Sequence, residues 1–194
     1  LYLFKFEINP KQPIMKNLKF LLLPVLCFVF ACSDDDNSSQ ESNAPDAITI
    51  DGETYVFKDG KSVNNHHAMS QSHTQYSFVL SDAEITPNLS GAGAATFQTN
   101  GNLMLHLRAY STGEAFTPGT YTIGCCDDRY FTLTVFTNET TYSAEEGTVT
   151  ISGSAPNYTI QFNDIVMMSN NADPFVEIPD FIYNDGFEYT DNNN

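Results

Sequence analysis

From Ile48 onward the apolar residues of this chain recur at every second position, in short runs separated by turn dipeptides. Successive side chains of a strand point to opposite faces, so this period of two commits each run to a β-conformation with one apolar face. The clearest case places Leu103, Leu105, Leu107 and Ala109 on a core face and Met104, His106, Arg108 and Tyr110 outward. Phe131, Leu133 and Val135 alternate with threonines, Val149 and Ile151 follow, and then Tyr158, Ile160 and Phe162. No stretch after Ala31 repeats with a helical period. The expected class is therefore all-β: an antiparallel β-sandwich or an open, barrel-like meander.

The turns refine the register. Asp51-Gly52 is a favoured type I′ dipeptide, and a two-residue turn there sets Ile50 against Glu53 and Ile48 against Tyr55. Ile48, Ile50, Tyr55 and Phe57 then share one face. At Asn100-Gly101 a two-residue turn would oppose polar to apolar residues. A three-residue loop, Thr99 to Gly101, instead pairs Phe97 with Leu103 and Ala95 with Leu105, with Gly101 left-handed in a bulged turn. Pro118-Gly119 marks a turn into Thr120 to Ile123. Beyond Asn163-Asp164 the apolar phase slips to Ile165, the mark of a β-bulge.

Composition divides the chain. Residues 1–14 precede a better start at Met15 and read as an over-extended beginning. Residues 15–31 have the form of a signal peptide: Lys16 and Lys19, then an apolar run from Phe20 to Ala31, too short for the roughly 20 residues of a bilayer span. Residues 32–46 are polar, acidic and without apolar period, a flexible tether with a reach of roughly 20 Å. Residues 47–183 suit one all-β domain, and the polar tail 184–194 is expected to be disordered. The acidic, aromatic segment from Pro174 to Tyr189 is suited to cover a sheet edge or meet a partner.

Val29-Phe30-Ala31-Cys32 resembles the lipobox of bacterial lipoproteins: an aliphatic residue three before the cysteine, a small residue before it, and an abrupt polar switch after it. Cys27 lies inside the apolar run and lacks that context. The resemblance implies cleavage before Cys32 and lipidation of its thiol, and two or more acyl chains anchor stably where one holds marginally. Ser33-Asp34-Asp35-Asp36 is similar to the acidic export signal of surface-exposed lipoproteins of the Bacteroidetes. That implies an outer-membrane, lipid-anchored protein facing the cell exterior.

Further along, Pro118-Gly119-Thr120-Tyr121-Thr122, Gly147-Thr148-Val149-Thr150-Ile151 and Tyr158-Thr159-Ile160-Gln161-Phe162 resemble the closing half of a family of uncharacterised Bacteroidetes lipoprotein domains. The opening of those domains, an apolar strand, an Asp-Gly turn and an aromatic strand, is similar to Ile48 to Phe57. This resemblance implies a β-sheet domain on a lipid tether and brings no activity with it.

Charge narrows the partners. The formal net charge is −16, and only Lys58, Lys61, Arg108 and Arg129 are basic beyond Cys32. Nucleic acid and anionic lipid surfaces both demand a basic footprint, so neither is an expected partner, whereas the membrane through the lipid anchor and a protein or glycan ligand are. Cys125 and Cys126 are adjacent and, outside the cytoplasm, can close a strained vicinal disulfide, remain thiols, or bond another chain. His66, His67 and His73 are the candidate metal ligands, but adjacent side chains of an extended segment point apart, so a polar loop explains them better and no cofactor is expected. Asp127-Asp128 beside Arg129 reads as a turn with a local ion pair rather than a calcium loop.

No serine elbow, zinc-protease helix or phosphate-cradling glycine loop occurs, so no catalytic residue is assigned. Outward Tyr110, Tyr130 and Phe136 could stack on a sugar, as sheet packing alone could also require. The expected role is a non-enzymatic cell-surface binding or envelope-interaction domain. The alternatives are an extracytoplasmic hydrolase of envelope or nutrient polymers and a structural or assembly subunit of an outer-membrane system.

Overall fold

The computed structural model describes residues 46–65, 73–89, 94–113, 115–125, 127–170 and 175–192. They are strands and their connections, with no helix among them. Cys32, the signal segment and all of the tether before Asp46 lie outside the described residues.

The first two strands, β1 (Ala47–Ile50) and β2 (Glu53–Val56), form the hairpin that Asp51-Gly52 dictates. Both turn residues are left-handed, with φ 52° and 84°, and Ile50 faces Glu53 while Ile48 faces Tyr55. Ile48, Ile50 and Phe57 are buried, and Tyr55 packs against the same core.

The main sheet is built around β3 (Asp59–Asn65), β4 (His73–Ser81), β7 (Leu103–Thr112) and β9 (Arg129–Thr137), which pair antiparallel in that order. A long hairpin of β10 (Thr141–Ser154) and β11 (Asn157–Ser169) continues it. The start of β10 pairs with β9, and its later half pairs with β8 (Gly119–Ile123), which follows Pro118 as its turn requires. The bulge signalled at Asn163-Asp164 is present: the β10–β11 register shifts there, Asp164 has φ 53°, and Phe162 and Ile165 are both buried.

Two strands outside this meander, β5 (Ile85–Asn88) and β6 (Thr96–Thr99), overturn one expectation. Phe97 lies opposite Pro87 in a separate two-stranded sheet, and not opposite Leu103. The reason is competition for edges. Both edges of β7 are taken by long ladders to β4 and β9, which leave no hydrogen-bonding edge for a four-residue strand. Nor is Gly101 left-handed. Its lack of a side chain serves close approach instead, because a Cβ there would collide with the Asp82 carboxylate. That carboxylate accepts the N–H groups of Asn102 and Leu103 at 3.2 and 3.0 Å.

The C-terminal segment overturns another. Within the stretch expected as a polar tail, residues 188–192 form a strand. After β12 (Val176–Ile178) and β13 (Phe181–Tyr183) pair along β11, the chain crosses to the opposite edge, where β14 (Glu188–Asn192) runs parallel to β3. Lys61 holds Glu188 at 2.5 Å, and Asn192 is buried. Of the segment suited to cover a sheet edge, residues 176–183 lie along β11 and residues 188–189 begin the strand along β3.

The sheet therefore has the order β12-β11-β10-β8-β9-β7-β4-β3-β14, with β13 also on β11. It is mixed rather than purely antiparallel, because β8 is parallel to β9 and β14 to β3. It curls until its two ends face each other: Tyr76 and Phe78 of β4 meet Tyr158 of β11 at ring-centroid distances of 5.5 and 5.2 Å. Among the described residues no ladder joins the two edges, so the barrel is not closed, and residues 184–187 strap the seam through Phe187 N–H to Pro156 O at 3.0 Å. Each aromatic or leucine buried within this curl contributes about 1.5–3 kcal/mol.

Candidate functional site

The outward face of the central strands is not simply solvated. His106 and Tyr110 were expected outward, and they do leave the inner core, yet they are only 5 % and 6 % exposed. The β5–β6 hairpin lies over this face. Ile85 N–H donates to Asp59 Oδ2 at 2.7 Å, Ala95 N–H to Asn65 Oδ1 at 3.0 Å, and Phe97 stands edge-on to His106 at 5.1 Å.

Beneath the hairpin is a buried polar network that sequence reasoning missed. Asn65 Nδ2 and Gln75 Nε2 donate to Ser77 Oγ at 3.0 and 3.5 Å, and His106 Nε2 lies 3.4 Å from the same oxygen. With carboxamide donors on the serine oxygen, its proton is directed to the imidazole nitrogen. Burial, with the charge of Arg108 second, pushes His106 down to about 3, so it is neutral at pH 7. The pair has the composition of a nucleophile and its base, but Ser77 is 0 % exposed. Its evident work is to bind the hairpin, β3, β4 and β7 together. Period two places His106 and Ser77 on that face. Nothing in the local sequence announces that a distant hairpin covers them.

The residues singled out by sequence are dispersed. His66, His67 and Cys126 lie outside the described residues, so neither the vicinal bridge nor the full histidine cluster is described. Cys125 is exposed. His73 makes a hydrogen bond from Nε2 with Asp127 O at 3.1 Å and sits edge-on to Tyr130 at 5.4 Å, which joins β4 to the loop before β9. Among the described residues no three His, Cys, Asp or Glu side chains are grouped to hold a metal ion, and no helix is long and apolar enough to cross a membrane. Of the three rings proposed for stacking, Tyr110 is corrected to a buried position, stacked on Tyr130 at 4.5 Å, because the two face each other across the β7–β9 ladder. Phe136 is 37 % exposed.

Among the described residues, clefts of differing charge break the surface, and three of them bear on function. One, of about 490 Å³, opens at the seam between Lys58, Asp59, Tyr183, Asp185 and Glu188. Beside it burial, then the charge of Asp185 and a hydrogen bond shared with it, push the Asp46 carboxyl up to about 6. A second, of about 460 Å³, is flanked by Glu146, Asp164, Glu177 and Asp180.

The third, of about 410 Å³, contains no charged lining residue. Its apolar surfaces are Phe97, Met104 and Phe136, and carboxamides and hydroxyls flank them. Met104 and Phe136 are directly opposed across the β7–β9 ladder, which forms the floor. One wall is the Thr99–Asn102 turn, pinned by Asp82 and by the contact between Ser81 Oγ and Thr99 Oγ1 at 3.0 Å. The other is the turn after β9, where Thr137 N–H donates to Thr140 O at 2.9 Å and Thr140 N–H to Thr137 Oγ1 at 3.1 Å. Asn138 Nδ2 spans the walls to Asn102 Oδ1 at 2.6 Å. The geometry can receive a neutral, partly apolar ligand in a largely pre-formed site.

No protein-family model matches the chain, and no curated protein or solved structure matches it.

Proposed function

We propose that this chain is a lipid-tethered, extracytoplasmic binding domain that acts without catalysis. The observation that carries the binding reading is the third cleft: uncharged in a chain of net charge −16, floored by a rigid ladder and walled by two pinned turns. Such a site holds a ligand without the reorganisation that mobile loops would cost. The lipobox-like Val29-Phe30-Ala31-Cys32 supports an anchor on Cys32, and the acidic residues behind it support an outer-membrane, outward-facing address. The tether would let the domain sample ligands beyond the membrane surface.

The test of the anchor is direct. Cys32→Ser should move the protein from the membrane fraction to the soluble extracytoplasmic fraction, and protease added to intact cells should remove the wild-type domain. Continued membrane retention of the variant would overturn the tether, and survival until lysis would place the domain on the inner side.

One observation favours a second reading, a hydrolase of envelope or nutrient polymers. Asp46 and Asp185 form a carboxyl pair at the seam cleft with one member raised toward neutrality, a property shared with general acids. Release of new reducing ends from a polymer, lost in Asp46→Asn, is the result that would replace binding with catalysis.

A further inference from the structure

We infer that the third cleft is a carbohydrate site that takes a neutral oligosaccharide, with Phe136 as the stacking platform and Asn102 and Asn138 as the hydroxyl-reading groups. The inference rests on the binding reading above and names its ligand class.

The first support is charge. Phosphorylated, sulfated or uronic ligands would enter against the field of a strongly acidic chain and find no cation in the cleft. A cationic ligand would be drawn to the other two clefts, which hold the carboxylates, rather than to this one. Neutral molecules remain.

The second support is the pairing of surfaces. A pyranose ring has an apolar C–H face and a rim of hydroxyls, each both donor and acceptor. Phe136 offers an exposed ring beside the thioether of Met104, suited to the C–H face through the negative charge of the ring face. The carboxamide bridge between the walls uses only part of its capacity: Asn138 Oδ1 remains an acceptor, and Asn102 Nδ2 remains a donor of two hydrogens. The cleft lining thus keeps both a donor and an acceptor in hand, the two functions that sugar hydroxyls match. Gln98 and Asn100 extend the same chemistry along one wall.

The third support is rigidity. Gly101 is wedged against Asp82, and the Thr137 turn is closed on itself by hydrogen bonds in both directions. The cleft volume lies in the range of about 300–1,000 Å³ typical of small-ligand sites.

The experiment uses the full chain, purified in a zwitterionic detergent because glycosidic detergents would compete. It is titrated by calorimetry with hexasaccharides of β-1,4-glucose, α-1,4-glucose, β-1,4-mannose, β-1,4-xylose and β-1,4-N-acetylglucosamine, with a hexagalacturonate as the anionic control. At least one neutral sugar should bind and the galacturonate should not. Phe136→Ala should weaken that binding about tenfold, Phe136→Tyr should retain it, and Asn102→Ala and Asn138→Ala should each weaken it several-fold. Phe175→Ala, at the most exposed aromatic of the described residues and outside the cleft, should leave it unchanged. Phe136 is exposed, so an unaltered melting curve shows that loss of binding is not loss of fold.

Binding to no neutral sugar, preference for the galacturonate, or equal loss in Phe136→Ala and Phe175→Ala would each overturn the carbohydrate site. None of those results touches the tether, which stands or falls with Cys32→Ser. Neutral-sugar binding accompanied by new reducing ends would keep the ligand class and overturn the non-catalytic part of the reading.

Discussion

The two faces of β7 belong to one ten-residue strand and are stabilised in different ways. Inward, Leu103, Leu105, Leu107 and Ala109 enter a core of apolar and aromatic side chains drawn from nearly the whole curled sheet. Outward, His106 and Tyr110 are nearly as well sealed, but by hydrogen bonds, a ring stack and a two-stranded flap. The inner face gains from area and tolerates approximate partners. The outer face gains only while each polar group keeps its partner, because a buried group left unmatched costs about 1–3 kcal/mol. Burial alone does not distinguish them; what lies across each interface does.

Substitutions can break that contrast. Leu105 is fully buried between two ladders, and Leu105→Ala should lower unfolding free energy by about 3–5 kcal/mol, read as a shift of the urea midpoint at unchanged slope. A shift below 1 kcal/mol would mean that the inner face is not the principal core.

The outer face should respond to acid. The folded pKa of His106, about 3, lies below its ordinary 6.5, so its neutral form contributes stability fully above pH 6.5. That contribution is lost as pH falls toward 3, because the unfolded chain takes up the proton first. By pH 4 the loss is about 3 kcal/mol. Asp46 acts in the opposite sense: its raised carboxyl contributes stability below pH 3.8 that is lost as pH rises through about 6. The difference between wild type and His106→Gln isolates the histidine, and the variant should lose less stability between pH 7 and 4. Equal acid sensitivity in both proteins would refute a sealed, neutral imidazole.

The smallest effect tests the hydrogen bonds themselves. Asn65→Ala removes the acceptor for Ala95 N–H and a donor to Ser77, and should cost about 1–3 kcal/mol. Amide exchange should accelerate at Ala95 and at the β5–β6 ladder before it does so at Leu105. Uniform acceleration across both faces would show that hairpin and core open as one unit.

Much of this fold is legible in the chain. Asp51-Gly52 specifies its hairpin because both residues tolerate the left-handed backbone that a type I′ turn needs, and the slip after Asp164 specifies a bulge because period two leaves no other account of Phe162 and Ile165. The candidate cleft is legible only in fragments. Phe136 is placed on an outward face by alternation, but Phe97 joins the same cleft from a hairpin whose pairing local register does not give. Asn102 meets Asn138 across 36 positions of sequence. The error at Asn100-Gly101 has the same origin: local register favoured a Phe97–Leu103 pair, while competition from two long ladders decided otherwise.

The sequence by itself determined the all-β class, the faces of the strands, the first hairpin, and a lipobox-like Cys32 with its acidic followers as the expected address. Those are local properties, set by backbone geometry and by side-chain chemistry within a few residues. Tertiary structure alone decided which strands share an edge, that the polar end at Glu188–Asn192 becomes a parallel strand, and that one cleft is free of charge in an acidic protein. Each depends on groups far apart in the chain meeting one another, and neither turn chemistry nor alternation carries that information.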